Sequence, residues 1–230
     1  MEITERSLRQ MVREVDDLHR EGMKTIVDDI AELRSRRRFL RGAALTIGGA
    51  VLPVGLLVGT AAAQTPDDTT LAKFAESIEL AAVAAYTAAA QTGKVKTPAV
   101  LAAMTAFAGH HQQHALAFGA FAGDTATAKP NPILLQTVGD LVKAAHDESE
   151  ILKLAYSVEN GAAATYLFAI GAFTSTQALT TTASILPVEA QHATVIGYVL
   201  GKDPTGDTDY LPPFQTPDQA LQPAKYPLAG

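Results

Sequence analysis

Leu186-Pro187-Val188-Glu189-Ala190-Gln191-His192 sets a carboxylate and an imidazole three residues apart, inside an apolar segment that runs to Leu200. On a helix, positions i and i+3 share a face. Glu189 and His192 therefore point the same way, toward the side that the surrounding apolar residues bury. A Glu-x-x-His pair on an inward helix stripe is how helical bundles present metal ligands to one another. One pair decides little, because Glu and His occur in helices for unrelated reasons. What matters is whether other helices bring partners to the same depth.

The totals narrow the chemistry. The 230 residues are 47% hydrophobic, enough for one core domain and an appendage. Absence of Cys excludes disulfides, Fe–S clusters and thiolate zinc sites. Any metal site must use His and carboxylate, a donor set that suits iron, manganese or zinc. The net charge of −6 argues against a nucleic-acid partner. No phosphate-binding loop, Ser/His/Asp grouping or basic patch is visible. Charge is unevenly placed: residues 1–64 hold 10 Lys or Arg and 9 Asp or Glu, and residues 65–230 hold 8 and 15.

Residues 1–34 form a charged leader with Leu8, Met11, Val12, Val15, Leu18, Ile26, Val27, Ile30 and Leu33 at helical spacing. The pattern predicts an amphipathic helix, broken or bent near Gly22. Ser35-Arg36-Arg37-Arg38-Phe39-Leu40-Arg41 then resembles the twin-arginine export motif, with Arg36, Arg37, Phe39 and Leu40 in the motif's places. An uncharged, Gly-rich run follows to Gln64, and Ala61-Ala62-Ala63 offers a small-residue cleavage site. Left uncleaved, residues 35–64 are long enough to anchor the chain in a bilayer. The resemblance implies delivery by the twin-arginine machinery to the periplasm or cell envelope, with membrane contact only through this segment. On that reading residues 1–64, His19 included, stand apart from the fold.

Residues 65–201 read as four helices. The first is capped by Asp68 or Thr69 and runs to about Gln91, carrying Glu76, Glu79 and Tyr86. The second opens with the Thr97 hydroxyl and Pro98 and carries Met104, Phe107, His111, His114, Phe118 and Phe121 as one stripe. A short helix or crossover from Ile133 to Ala145 follows the Lys129–Pro132 loop. The third helix spans Asp147 to Phe173 with Glu159 and Tyr166, and the fourth runs from Ser175 or Thr176 to Leu200. Glu76 reads as solvated and His110 as flanking. Six prolines break up residues 202–230, whose Tyr210, Leu211, Phe214 and Leu221 suggest a tail lying on the bundle.

The four helices thus carry Glu79 and Tyr86, His111 and His114, Glu159 and Tyr166, and Glu189 and His192. Glu79 and His111 are 32 residues apart, and Glu159 and Glu189 are 30. Each interval is one helix out, a short loop, and a return to the same depth. The 45 residues from His114 to Glu159 leave room for a long crossover.

This order resembles the ferritin-like superfamily of di-iron carboxylate proteins. It is nearest to exported members that pair a twin-arginine signal with a Pro-Phe-x-Thr-Pro tail, here Pro213–Pro217. The resemblance covers roughly residues 69–220. It implies an all-α, ferritin-like four-helix bundle with a long crossover between the second and third of these helices. It assigns Glu79 and Glu159 as terminal ligands, Glu189 as a bridging ligand, and His114 and His192 as terminal ligands. Tyr86 and Tyr166 would donate hydrogen bonds to ligand carboxylates. The implied activity is oxidation of Fe²⁺ by O₂ or peroxide, in iron handling or oxidative-stress defence.

His111 departs from the pattern, standing where a second bridging Glu belongs. Four carboxylates balance two divalent ions. Three Glu with three His leave about one positive charge in a buried site, which needs hydroxide or another anion. An imidazole also does not bridge two ions as a carboxylate does. The expected load is one or two ions of iron, or of Mn or Zn, with any pair bridged asymmetrically by Glu189 and solvent. The competing readings are a hydrogen-bonded polar core without metal and a stress-protective envelope protein with a degenerate site. Without a clear short fifth helix, a monomer or dimer is expected rather than a storage cage.

Overall fold

Two apolar helical segments of similar length meet across a short polar turn, and this happens twice; each pair therefore closes as an antiparallel hairpin. In the computed structural model the described residues are 4–43, 66–203 and 220–228, with side chains described for 4–24, 66–203 and 220–228. Six α-helices are found among them: α1 Glu5–Ala43, α2 Asp68–Gln91, α3 Pro98–Ala122, α4 Pro132–Ala144, α5 Glu148–Ala172 and α6 Thr176–Val199. No strand occurs among the described residues. Helix α2 pairs with α3 and α5 with α6, while α4 lies in the crossover against α2. The all-α bundle with its crossover is the expected architecture.

The two hairpins are tied together by matching devices at their starts. Asp67 caps α2 and Asp147 caps α5, each accepting from a backbone N–H three residues on. The next residue of each helix reaches across to the other hairpin's turn. Asp68 accepts from Thr174 N (2.9 Å) and Ser175 N (2.7 Å), just before α6. Glu148 accepts from Lys96 N (2.6 Å) and Thr97 N (2.8 Å), just before α3. The turns thereby find partners for donors that a helix start leaves unpaired. The caps correct two expectations. Asp67, not Asp68 or Thr69, caps α2, and the Thr97 hydroxyl makes no cap bond; Glu148 accepts the Thr97 N–H instead.

Pro187 sits inside α6 without ending it. Proline removes the hydrogen bond to the carbonyl four residues back. That residue is Ala183, and both residues are on the exposed side, where losing the bond costs least. Glu189 and His192 keep their helical register and face inward.

Helix α1 is the main surprise. It passes through Gly22 without a break and lies against α3 and α6. Leu8, Val12 and Val15 join the core cluster of Val100, Phe107 and Ile196, and Met23 packs on Ala117. The inward stripe is Leu8, Val12, Val15, His19, Met23, so Leu18 is 60% exposed and His19 occupies the buried place. Residues 5–24 therefore cannot be left out of the fold. Arg36, Arg37, Phe39 and Leu40, expected to form an export motif, fall within α1, but their side chains lie outside the described residues, as do residues 44–65 and the Pro213–Pro217 stretch.

Glu76, expected in solvent, is buried and accepts from Thr127 N (2.7 Å) and Ala128 N (3.1 Å). It fixes the start of the crossover to α2. Residues 220–228 rest on α2 and α4, where Leu221 and Tyr226 pack on the cluster of Phe74, Ile78 and Leu134. The Asn131 side-chain amide donates to the Tyr226 carbonyl at 3.0 Å.

Two glycines are expected to respond in opposite directions. A Cβ at Gly22 meets nothing within 4 Å, whereas one at Gly119 would come within 2.8 Å of Glu76 Oε1. Gly22→Ala should raise unfolding free energy by up to about 1 kcal/mol through helix propensity. Gly119→Ala should lower it by about 1–2 kcal/mol by forcing Glu76 off its donors. Urea unfolding of both variants checks the signs.

Candidate metal centre

The apolar core is not continuous. One cluster, around Tyr86, Met104, Phe107 and Ile196, fills one half of the bundle. A second, around Leu71, Phe118, Tyr166 and Ile185, fills the other. Between them lies a polar layer to which α2, α3, α5 and α6 all contribute: Glu79, His111, His114, Glu159, Glu189 and His192. All six are buried, at 2% exposure or less. Isolated charges cannot be buried at such depth without large cost, so the pairing within the layer is what makes it tolerable.

Each carboxylate is held differently. Tyr86 on α2 donates to Glu159 on α5, and Tyr166 on α5 donates to Glu79 on α2, a reciprocal exchange across the bundle. Burial and then the Glu159 charge push the Tyr86 phenol well above its usual range, which keeps it a donor. His111 spans the same two carboxylates, with Nδ1 2.7 Å from Glu79 Oε2 and Nε2 3.1 Å from Glu159 Oε1. Glu189 has no such support: neither of its oxygens finds a hydrogen-bond partner among the described residues. His114 Nδ1 is 2.9 Å from Oε1 and His192 Nδ1 is 3.2 Å from Oε2, close enough for ion pairs but misaligned for hydrogen bonds.

The six residues form two overlapping donor sets. Glu79, His111, His114 and Glu189 make one; His111, Glu159, Glu189 and His192 make the other. In each set the donor atoms lie within 4.8 Å of one another. An ion about 2.0–2.2 Å from each donor needs them within roughly 4.4 Å, so a contraction of a few tenths of an ångström suffices. Glu189 turns one oxygen toward each set and His111 turns one nitrogen toward each. A fully buried carboxylate with no donor, facing two imidazole nitrogens, fits a cation between them. The residues present therefore suit a metal ion.

Protonation follows from these contacts. Burial opposes charge on His111, His114 and His192, but the neighbouring carboxylates outweigh it. His111 is raised well above 6.5, His114 to about 9, and His192 is raised too. Burial likewise opposes ionised Glu79 and Glu159, and the same imidazoles outweigh it and hold both below the usual carboxylate range. Without metal, the layer is thus a set of carboxylate–imidazolium pairs, and a bound cation must displace those protons.

The residues read as flanking or outside the fold prove to be part of this neighbourhood. His110 is buried, with Nδ1 2.9 Å from His192 Nε2 and Nε2 3.0 Å from Asp16 Oδ1. His19 on α1 places Nε2 2.9 Å from His114 Nε2 and stacks on His110 with ring centroids 4.0 Å apart. Burial, then the charge of neighbouring imidazoles, pushes His19 down to about 2 and His110 to about 4. One signal for His19 was present in the sequence: it lies four residues past Val15, on the stripe that Leu18 misses.

Together these elements define a metal-competent four-helix bundle whose ligand layer carries one Glu, or two donors three residues apart, on each helix. The ferritin-like domain family matches residues 67–202, more than half of the chain, and the chain belongs to that family. No curated protein and no solved structure matches it.

The histidines set the pH response of the metal-free protein. Below pH 6.5 the unfolded chain takes up protons that folded His19 and His110 refuse, so stability falls toward pH 4. Above 6.5 the unfolded chain loses protons that folded His114 keeps until about 9, so stability falls again. Thermal melts with a chelator should show a maximum near pH 6.5, and Glu189→Gln should flatten the alkaline limb. A melting temperature that climbs steadily from pH 6.5 to 9 would contradict this account.

Proposed function

We propose that the buried Glu and His layer holds iron, or Mn or Zn in its place, and that with iron the protein oxidises Fe²⁺ using O₂ or peroxide. The observation that carries this reading is Glu189, buried without a hydrogen bond between two imidazole nitrogens. Glu79, His111, His114, Glu159, Glu189 and His192 are the proposed ligands. Iron, when bound, supplies one-electron redox chemistry that no side chain here supplies. The chain's part is to hold Glu79 and Glu159 through Tyr166 and Tyr86, and to keep bulk water out with an apolar cluster on either side.

We propose one ion as the resting load. The two donor sets share His111 and Glu189; Glu189 has an oxygen for each, but a neutral His111 has a lone pair for only one. A second ion needs His111 to give up both ring protons, or a solvent anion in its place. The same residue supports a second reading, a non-catalytic envelope protein. An imidazolium spanning Glu79 and Glu159 gives each carboxylate a donor and offsets one of their two negative charges without metal.

Export through the twin-arginine machinery to the periplasm or envelope is part of the proposal, resting on Arg36, Arg37, Phe39 and Leu40. Among the described residues, no helix is long and apolar enough to cross a membrane. A monomer or dimer is proposed rather than a cage.

Untagged full-length protein, loaded anaerobically with Fe²⁺ and desalted, should retain about one metal ion per chain by elemental analysis, and Glu189→Ala should retain less than a tenth of that. Oxygen addition should then oxidise Fe²⁺ faster with wild type than with Glu189→Ala. Metal retained equally by both proteins rejects the site, and metal retained without oxidation favours the non-catalytic reading.

A further inference from the structure

The two imidazoles that turn Nδ1 toward Glu189 have their outer nitrogens occupied. His114 Nε2 meets His19 Nε2 at 2.9 Å, and His192 Nε2 meets His110 Nδ1 at 2.9 Å. His110 then meets Asp16 Oδ1 at 3.0 Å through Nε2. Both outer ends lie on α1, one turn apart, and both belong to a helix outside the four-helix bundle.

The direction of the second chain follows from its last member. A carboxylate oxygen accepts, so His110 Nε2 carries a hydrogen. Neutral His110 then has a bare Nδ1, which accepts from His192 Nε2–H. His192 thus keeps a proton on Nε2, and a cation need displace only the Nδ1 proton that faces Glu159 and Glu189. Arg20 donates to the other Asp16 oxygen and keeps the carboxylate oriented. His19 acts likewise on His114: a bare His19 Nε2 accepts His114 Nε2–H, so that a cation need displace only the His114 Nδ1 proton beside Glu189. Placing His19 in an otherwise apolar stripe, Leu8, Val12, Val15 and Met23, costs packing, and the bond to His114 is what that place provides.

We propose that α1 is part of the metal centre: Asp16 and His19 are positioning residues that hold His192 and His114 with Nδ1 toward the ion, so that docking of α1 and metal binding reinforce each other. The inference rests on the metal-binding reading above. Reciprocity follows, since a factor by which docked α1 tightens metal binding is the factor by which metal tightens docking. It also gives residues 5–24 a role that sequence alone did not suggest.

The test uses the full chain and Co²⁺ as a spectroscopic probe. Asp16→Ala, His19→Phe and His19→Gln are compared with wild type by Co²⁺ titration and by amide hydrogen exchange of residues 5–24. Loss of an outer partner of a ligand imidazole typically weakens metal binding 10–100-fold. Asp16→Ala and His19→Phe should each fall about in that range, with an altered Co²⁺ absorption band. His19→Gln, whose carbonyl can accept from His114, should recover most of the loss. Ala improves helix propensity, so a weaker Asp16→Ala site cannot be ascribed to a poorer helix. Co²⁺ should slow exchange in residues 5–24 of wild type and do so less in the variants. Wild-type affinity in all three variants, with exchange in residues 5–24 indifferent to Co²⁺, overturns the inference while leaving the metal centre standing. Failure of wild type to bind Co²⁺ overturns both.

Discussion

Three carboxylates buried at one level of a helical bundle are the constraint on which the rest depends. Glu79, Glu159 and Glu189 come from three helices and are almost fully buried. Ionised groups there require compensating charge and donors. The protein supplies imidazoles from α3 and α6, and phenols from α2 and α5, all at the same depth. Helix register, hairpin closure and the position of the crossover are all tied to that depth. Sliding one helix by a turn would strand a carboxylate in an apolar cluster.

The arrangement is close to twofold, and its asymmetry is informative. Asp67 and Asp68 at the start of α2 mirror Asp147 and Glu148 at the start of α5. The Tyr86–Glu159 and Tyr166–Glu79 bonds mirror one another. The mirror fails at His111, which faces Glu189 across the layer at 3.9 Å. Where a second shared carboxylate would complete the symmetry, an imidazole bridges Glu79 and Glu159 instead. That lowers the negative charge available to cations and provides an internal cation when none is bound. The same substitution thus explains why the layer is tolerable without metal and why a second ion is harder to place.

Much of this was legible in the sequence for one reason: ligand-type residues recur at helical intervals that return to a single depth. Glu79, His111, His114, Glu159, Glu189 and His192 were singled out by spacing, and the structure brings all six together. What the sequence does not announce lies outside that periodicity. Glu76 reads as solvated in the sequence because its partners are backbone N–H groups of Thr127 and Ala128, which no side-chain pattern announces. His110 shares a helix with two better candidates, and its role appears only when Asp16 and His192 arrive from other helices. His19 precedes an export-like motif, which hides its part in the fold. Its stripe, with Val15 four residues before it and Met23 four after, already placed it on the buried face.

The central claim is that a cation belongs between Glu189 and the imidazoles around it. Anomalous X-ray diffraction from crystals of the full chain grown with Fe²⁺, collected above and below the iron edge, tests this most directly. The account predicts an edge-dependent peak within roughly 2–2.3 Å of a Glu189 oxygen and of Nδ1 of His114 or His192. Well-ordered side chains with no peak in that layer, or iron found only at surface carboxylates, would contradict it.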